Sequence, residues 1–230
     1  MFDLTKVKKW DGLAYKPEGS ADIIGNVITF FQHGGKYAHV SRYTGDLLLQ
    51  VCLRYIQNPE DVDLIRILNH TGGFIPLPLT PESVQAFIDN PLNVYGLMHS
   101  ICESHIKSGV VITPLDTSLY SLIDIYRYKN ESKLRANDKE LEKAFLSKIG
   151  NPYDAAAFPA TFMRSTIAQF FGWKNFSKSR PIFNNRNAQF CSEYDAEAMY
   201  RGHCPLSSKM NFMNMTPTDN TTCKTVKFIC

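Results

Sequence analysis

Apolar and polar positions along this chain change period several times, and each change marks a different element. Ser20 to Ile24 reads as a short strand, and Val27, Ile28 and Phe31 then fall on one face at helical spacing, predicting a helix over roughly Asn26 to His33. Gly34-Gly35 stops that helix, because tandem glycines favour a turn or a left-handed cap. The run Tyr37-Ala38-His39-Val40-Ser41-Arg42-Tyr43 is rich in strand formers and closes at Thr44-Gly45. From Asp46 to about Asn93 the pattern turns helical, with apolar residues at turn spacing in Leu47 to Ile56 and Val62 to Leu68. Gly72 to Pro81 is a proline-rich loop, and Thr80-Pro81-Glu82-Ser83 supplies a cap and a first-turn proline for a helix reaching Ile88.

Strand signals resume over Val94 to Glu103, Gly109 to Thr113 and Leu122 to Tyr128. Asn137 to Ile149 predicts an amphipathic helix that buries Leu141, Ala144, Phe145 and Ile149, with Asn137 and Glu140 as a capping pair and Gly150 as its stop. Asn151 to Asn187 is loop-rich with many aromatics. Phe190 to Arg201 reads as a helix and Thr225 to Ile229 as a last strand. Strands, then helices, then strands again predict an α+β fold.

Composition narrows the function. The chain has 230 residues, 44% of them hydrophobic and 20% charged, with a formal net charge of +3. A chain of this size buries a substantial core as one domain with insertions. The densest basic stretches, Lys6 to Lys9 and Lys174 to Arg186, are diluted by apolar and amide residues, so the sequence offers no electrostatic case for a nucleic-acid partner. No apolar run approaches the roughly 20 residues that span a bilayer, and the first residues lack the order of a secretory signal. No transmembrane anchor or secretion signal is therefore expected, with cytoplasmic or virion-associated locations compatible. Cysteines 52, 102, 191, 204, 223 and 230 form no Cys-x-x-Cys pair and read mostly as reduced thiols. His99, Cys102 and His105 have ligand-like spacing, and His203, Cys204, Cys223 and Cys230 could converge. Neither set has the paired spacing of a structural zinc site, so no metal or other cofactor is expected.

The chemistry concentrates at Cys191. Gln189-Phe190-Cys191-Ser192-Glu193 sets a cysteine where an irregular, amide-rich segment gives way to a helix. A cysteine nucleophile acts as thiolate, which a helix N-terminus and a nearby histidine both favour. The free N–H groups there also suit a developing oxyanion. A cysteine at a helix start can equally be packing.

Gly150-Asn151-Pro152-Tyr153 followed by Cys191-Ser192-Glu193 resembles the Gly-x-Pro-Tyr and Cys-Ser signature of NlpC-type cysteine peptidases. Here the histidine segment, with Asp22-Ile23-Ile24 before Tyr37-Ala38-His39-Val40, precedes the cysteine. That order resembles the circularly permuted papain-like branch, the YiiX-like hydrolases and, more distantly, the lecithin:retinol acyltransferase-like proteins. The likeness covers roughly residues 20–45, 94–128 and 145–202. It implies a small antiparallel sheet packed against helices, with the nucleophile at a helix N-terminus. It implies Cys191 as nucleophile and His39 as base. Ile101-Cys102-Glu103, then Gly109-Val110 and Pro114-Leu115, is similar to the family's third-member region, which implies Glu103 as the group that orients the histidine. His99 and His105 stand in reserve for that role. The separation of His39 from Glu103 is longer than a strand-turn-strand, so residues 46–93 are read as an insertion at the cleft, and 203–230 as a C-terminal extension. Tyr153 is either a hydroxyl donor near the oxyanion or a loop anchor. The expected activity is cleavage of a peptide or isopeptide amide through a Cys-His-Glu triad. Acyl transfer or hydrolysis on a lipid, and an inert binding role, are the alternatives.

Overall fold

The computed structural model describes residues 2–19, 25–26, 28–29, 35–154, 189–207 and 215–229. The expected strand 20–24, the Gly34 stop, the loop-rich stretch 155–187 and the methionines at 210 and 213 lie outside the described residues. Residues 25–26 and 28–29 are helical, as the pattern around Ile28 predicts.

Six strands form one antiparallel sheet: β1 (Gly12–Tyr15), β2 (His39–Gly45), β3 (Ser100–His105), β4 (Gly109–Pro114), β5 (Ile123–Tyr128) and β6 (Val226–Ile229). They lie in the order β4-β3-β2-β1-β5-β6, every pair antiparallel. Helices pack on this sheet, so the architecture is α+β. Strand β1, at the sheet's centre, was not expected from the sequence. Its four residues are all buried, because both faces of the sheet are covered and no polar-apolar alternation survives. Gly12 is required there. It faces Tyr126 across the ladder, and a Cβ at position 12 would come within 2.0 Å of that ring.

Besides the helical residues 25–26 and 28–29, eight helices lie within the described residues: α1 (Leu47–Gln57), α2 (Val62–Asn69), α3 (Pro81–Ile88), α4 (Pro91–Leu97), α5 (Glu131–Ala136), α6 (Asp138–Leu146), α7 (Cys191–Arg201) and α8 (Pro217–Thr222). One sheet face presents Ala14, Val40, Cys102, Ile112 and Tyr126 to the larger core, shared with α1, α6 and α7. The other presents Leu13, Tyr15, Tyr43, Ile101, Ile123 and Ile125 to a smaller cluster with Phe2 and Leu115.

Region 46–93 is helical, as expected. Thr80 caps α3 through a reciprocal box with Ser83, with Pro81 in the first turn. Two boundaries differ from expectation. Residues 94–97 belong to α4 rather than to a strand: the Asn90 side chain accepts from the Leu92 N–H and Pro91 opens the helix, which outweighs the strand preference of Val94 and Tyr95. Asn137 makes no side-chain cap on α6. It also ends α5, and its amide donates back to the Lys133 carbonyl.

Candidate active site

The segment entering α7 is held at each backbone group before the cysteine. The Gln189 N–H donates to the Pro152 carbonyl at 3.1 Å. The buried Ser104 hydroxyl on β3 donates to the Gln189 carbonyl at 2.5 Å. Phe190, in extended conformation, is the N-cap, and its N–H bonds the carboxyl of Glu193 three residues on. That is half of a capping box, which fixes the cap residue without a polar cap side chain. Cys191 is thereby the first residue of α7, 5% exposed, among the N–H groups that a helix leaves without internal partners.

The Pro152 carbonyl is itself fixed by the sheet. Val110 of β4 donates to Asn151 and accepts from Gly150, both at 2.8 Å, so the Gly-Asn-Pro-Tyr loop adds a short ladder to the sheet edge. From the other side, Arg66 of α2 donates to the carbonyls of Ile149 and Leu146. The helical region 46–93 thus clamps the turn that supports the segment before Cys191.

His39 opens β2 and lies opposite Tyr15 of β1, whose ring centroid is 5.3 Å from the imidazole. The approach to His39 is moored by Asp124 of β5, which accepts from Lys36 at 2.6 Å and from the Tyr37 hydroxyl at 2.8 Å. Arg42 pairs with Cys102 and Tyr43 with Ile101 across β2 and β3. Continuing that register sets His39 and Glu103 on the same face, one diagonal apart. The His39 Nε2–H donates to Glu103 Oε2 at 2.6 Å, with side chains 25% and 16% exposed, shielded yet reachable.

The ring's other partner is the Cys191 thiol. Burial pushes the His39 imidazole down, but the charge of Cys191 and its hydrogen bond to the ring, followed by those of Glu103, outweigh it and raise His39 to about 10. Burial pushes the Glu103 carboxyl up, but the bond and charge of His39 hold it below its ordinary value. With Nε2 committed to Glu103, Nδ1 is the nitrogen left for the thiol proton.

Cys191, His39, Glu103 and Tyr153 line one cleft of about 570 Å³. No protein-family model matches this chain. Nor does any curated protein sequence resemble it significantly.

The four residues singled out in the sequence therefore come together. Burial first, then the charges of Cys191 and Asp154, raise the Tyr153 phenol above its ordinary value, so it stays a proton donor. His105 also lines the cleft, beside Glu103. Burial lowers it below its ordinary value, and the Glu103 charge only partly offsets this. His99 is engaged elsewhere: its Nδ1 bonds the Tyr43 hydroxyl at 2.8 Å and its ring packs on Tyr95. Cys102 lies in the larger core on the face opposite Glu103, so the His99-Cys102-His105 spacing does not converge, and among the described residues no group of three His, Cys, Asp or Glu side chains could hold a metal ion. No helix among them is long and apolar enough to cross a membrane.

Sequence reasoning missed Tyr15, Ser104 and Gln189. Tyr15 could not be found without β1. Ser104 and Gln189 act through a contact 85 residues apart in the chain, which no local pattern signals.

Proposed function

We propose that this chain is a thiol-dependent hydrolase of permuted papain-like type that cleaves an amide bond, peptide or isopeptide, through an acyl-enzyme. The observation that carries this reading is the imidazole of His39, bonded to Glu103 at 2.6 Å and sharing one cleft with Cys191 at the start of a helix, close enough for the sulfur to act electrostatically on the ring. Inert cysteines and histidines have no need of that alignment, whereas nucleophile, base and orienter in sequence are what acyl transfer needs.

In the first half-reaction the Cys191 sulfur bonds the substrate carbonyl carbon and its proton resides on His39. The tetrahedral oxyanion is met by the Cys191 N–H at the start of α7, with the Tyr153 hydroxyl as second donor. The carbon–nitrogen bond breaks as His39 passes its proton to the leaving amine. Water, deprotonated by His39, then attacks the thioester, the carbon–sulfur bond breaks, and the acid and free thiol are released. Glu103 keeps the ring's tautomer and orientation throughout.

The test is alkylation by iodoacetamide near pH 6, where ordinary thiols react slowly. Labelling selective for Cys191, lost in His39→Ala, is the expected result. Equal labelling of Cys191 and Cys223, the latter the more accessible described thiol, would defeat the reading.

A further inference from the structure

The cleft extends beyond the candidate catalytic pair, and several of the residues lining it there are apolar. Glu103 faces the sheet side that bears the smaller core, opposite α7. There Tyr15, Ile101, Val111, Leu119 and Leu122 make an apolar trough along part of the cleft, whose lining also includes the polar Lys16, Thr113 and Asp116. The trough has two independent walls. Ile101 and Val111 project from paired strands β3 and β4, while Leu119 and Leu122 belong to the 3-10 turn Thr117–Leu122 before β5. Leu119 and Leu122 are only half-buried, so they form a surface on which a ligand can lie rather than closed core.

Its position relative to His39 decides which part of a substrate it receives. The imidazole is bonded through Nε2 to Glu103, which lies on the same sheet face as the trough, and it interacts with the Cys191 thiol of the opposite face. In acyl transfer the atom that takes the proton from the base is the leaving atom, so the leaving group sits on the histidine side of the sulfur and the acyl part on the other. We infer that the trough binds the leaving group, and that the amine, alcohol or thiol released by this chain carries a large apolar substituent. This rests on the hydrolase reading above and adds to it the side of the scissile bond on which apolar selectivity resides. An alkyl chain and an aromatic side chain of a peptide satisfy the same surface.

The experiment uses the full chain and activated thioesters that share one acyl group, N-acetylglycyl, with methyl, butyl and octyl thiols as leaving groups. A mirror series keeps methanethiol as leaving group and lengthens the acyl chain. Full burial of a methylene is worth about fourfold in binding, so kcat/KM is expected to rise at least about tenfold from methyl to octyl in the first series and to stay within about threefold in the mirror series. Leu122→Arg or, as a milder change, Leu119→Ser brings the octyl-to-methyl ratio towards unity. A third arm compares N-acetylglycyl amides of glycinamide and phenylalaninamide. A preference there larger than the alkyl one assigns the trough to peptide side chains, and the converse to lipid-like chains. Equal rates across all leaving groups, or an equal rise in the mirror series, would overturn the inference while leaving Cys191-dependent hydrolysis standing. Absence of any Cys191-dependent turnover would remove both.

Discussion

Arg42 of β2 grips Asp195 of α7 through two hydrogen bonds, Nε to Oδ1 at 2.7 Å and Nη2 to Oδ2 at 2.6 Å, and both side chains are withdrawn from solvent. Arg42 lies three residues after His39 and Asp195 four after Cys191, so this pair joins the strand and the helix that carry those two residues. The Tyr126 hydroxyl and the Asn220 amide also donate to Asp195, and Arg42 donates to the Trp10 carbonyl. Removing one partner leaves a buried charge without its counter-ion. Asp195→Ala and Arg42→Met are each expected to cost about 3–5 kcal/mol in urea unfolding, while the paired Arg42→Met/Asp195→Leu costs clearly less than the sum. A strictly additive double variant would mean that the two side chains stabilise the fold independently.

Glu103→Gln keeps the shape of the site but offers the His39 Nε2–H a weaker, neutral partner and permits the wrong tautomer. Turnover is expected to fall by about 10²–10⁴-fold with a smaller change in KM. The Cys191 and Glu103 interactions hold His39 at about 10, so the alkaline limb of the wild-type pH–rate profile belongs near there. It moves to lower pH in Glu103→Gln, because one of the two stabilisers of the charged ring is gone. The limbs are properties of the cysteine–histidine pair rather than of either residue. An unmoved limb in the variant would assign Glu103 a structural role alone.

Much of the candidate site was legible in the sequence because its residues sit at element boundaries with strong local signals. His39 falls in a run of strand formers, Cys191 at the change from irregular chain to helical spacing, and Glu103 beside apolar strand residues. The two errors of element type or cap come from the same cause. Val94 and Tyr95 prefer strands in isolation, yet Asn90 and Pro91 had already started a helix. Asn137 resembles a cap, yet an unexpected helix ends on it. What could not be read was non-local. Strand β1 has no periodicity because neighbours cover both of its faces, and Arg42 and Asp195 are 153 residues apart.

Glu193 carries a pH dependence of its own. Burial first, then the charges of Glu197 and Asp154, push its carboxyl from 4.5 to about 8. Between those values the folded chain keeps a proton that the unfolded chain has released. The stability this contributes is therefore fully present below 4.5 and is lost as pH rises through about 8. Glu193→Gln stays neutral, retains an oxygen for the Phe190 N–H, and removes that slope. Urea midpoints of variant and wild type are expected to be close at low pH and to diverge in favour of the variant as pH rises through the window. Parallel curves over the whole range would show that Glu193 ionises as an ordinary carboxylate.

Gly109 links the sheet to the loop that supports the segment before Cys191, and its replacement separates that link from simple backbone strain. Its φ is +70°, and a Cβ there would stand 2.2 Å from the Asn151 carbonyl oxygen. That same oxygen accepts the Val110 N–H, one residue before Pro152 holds Gln189. Gly45 has a similar φ of +62° but only ordinary contacts, the nearest at 3.9 Å. Alanine at either position incurs the left-handed penalty of about 1–2 kcal/mol. At Gly109 the clash also displaces the loop, and the displacement passes through Pro152 and Gln189 to Cys191. Gly109→Ala is therefore expected to lower both the urea midpoint and kcat, by about tenfold or more for the latter, since small misplacements of reacting groups are costly. Gly45→Ala lowers the midpoint with kcat near wild type. Equal kcat values in two variants of matched stability would disconnect the β4–loop ladder from the placement of the thiol.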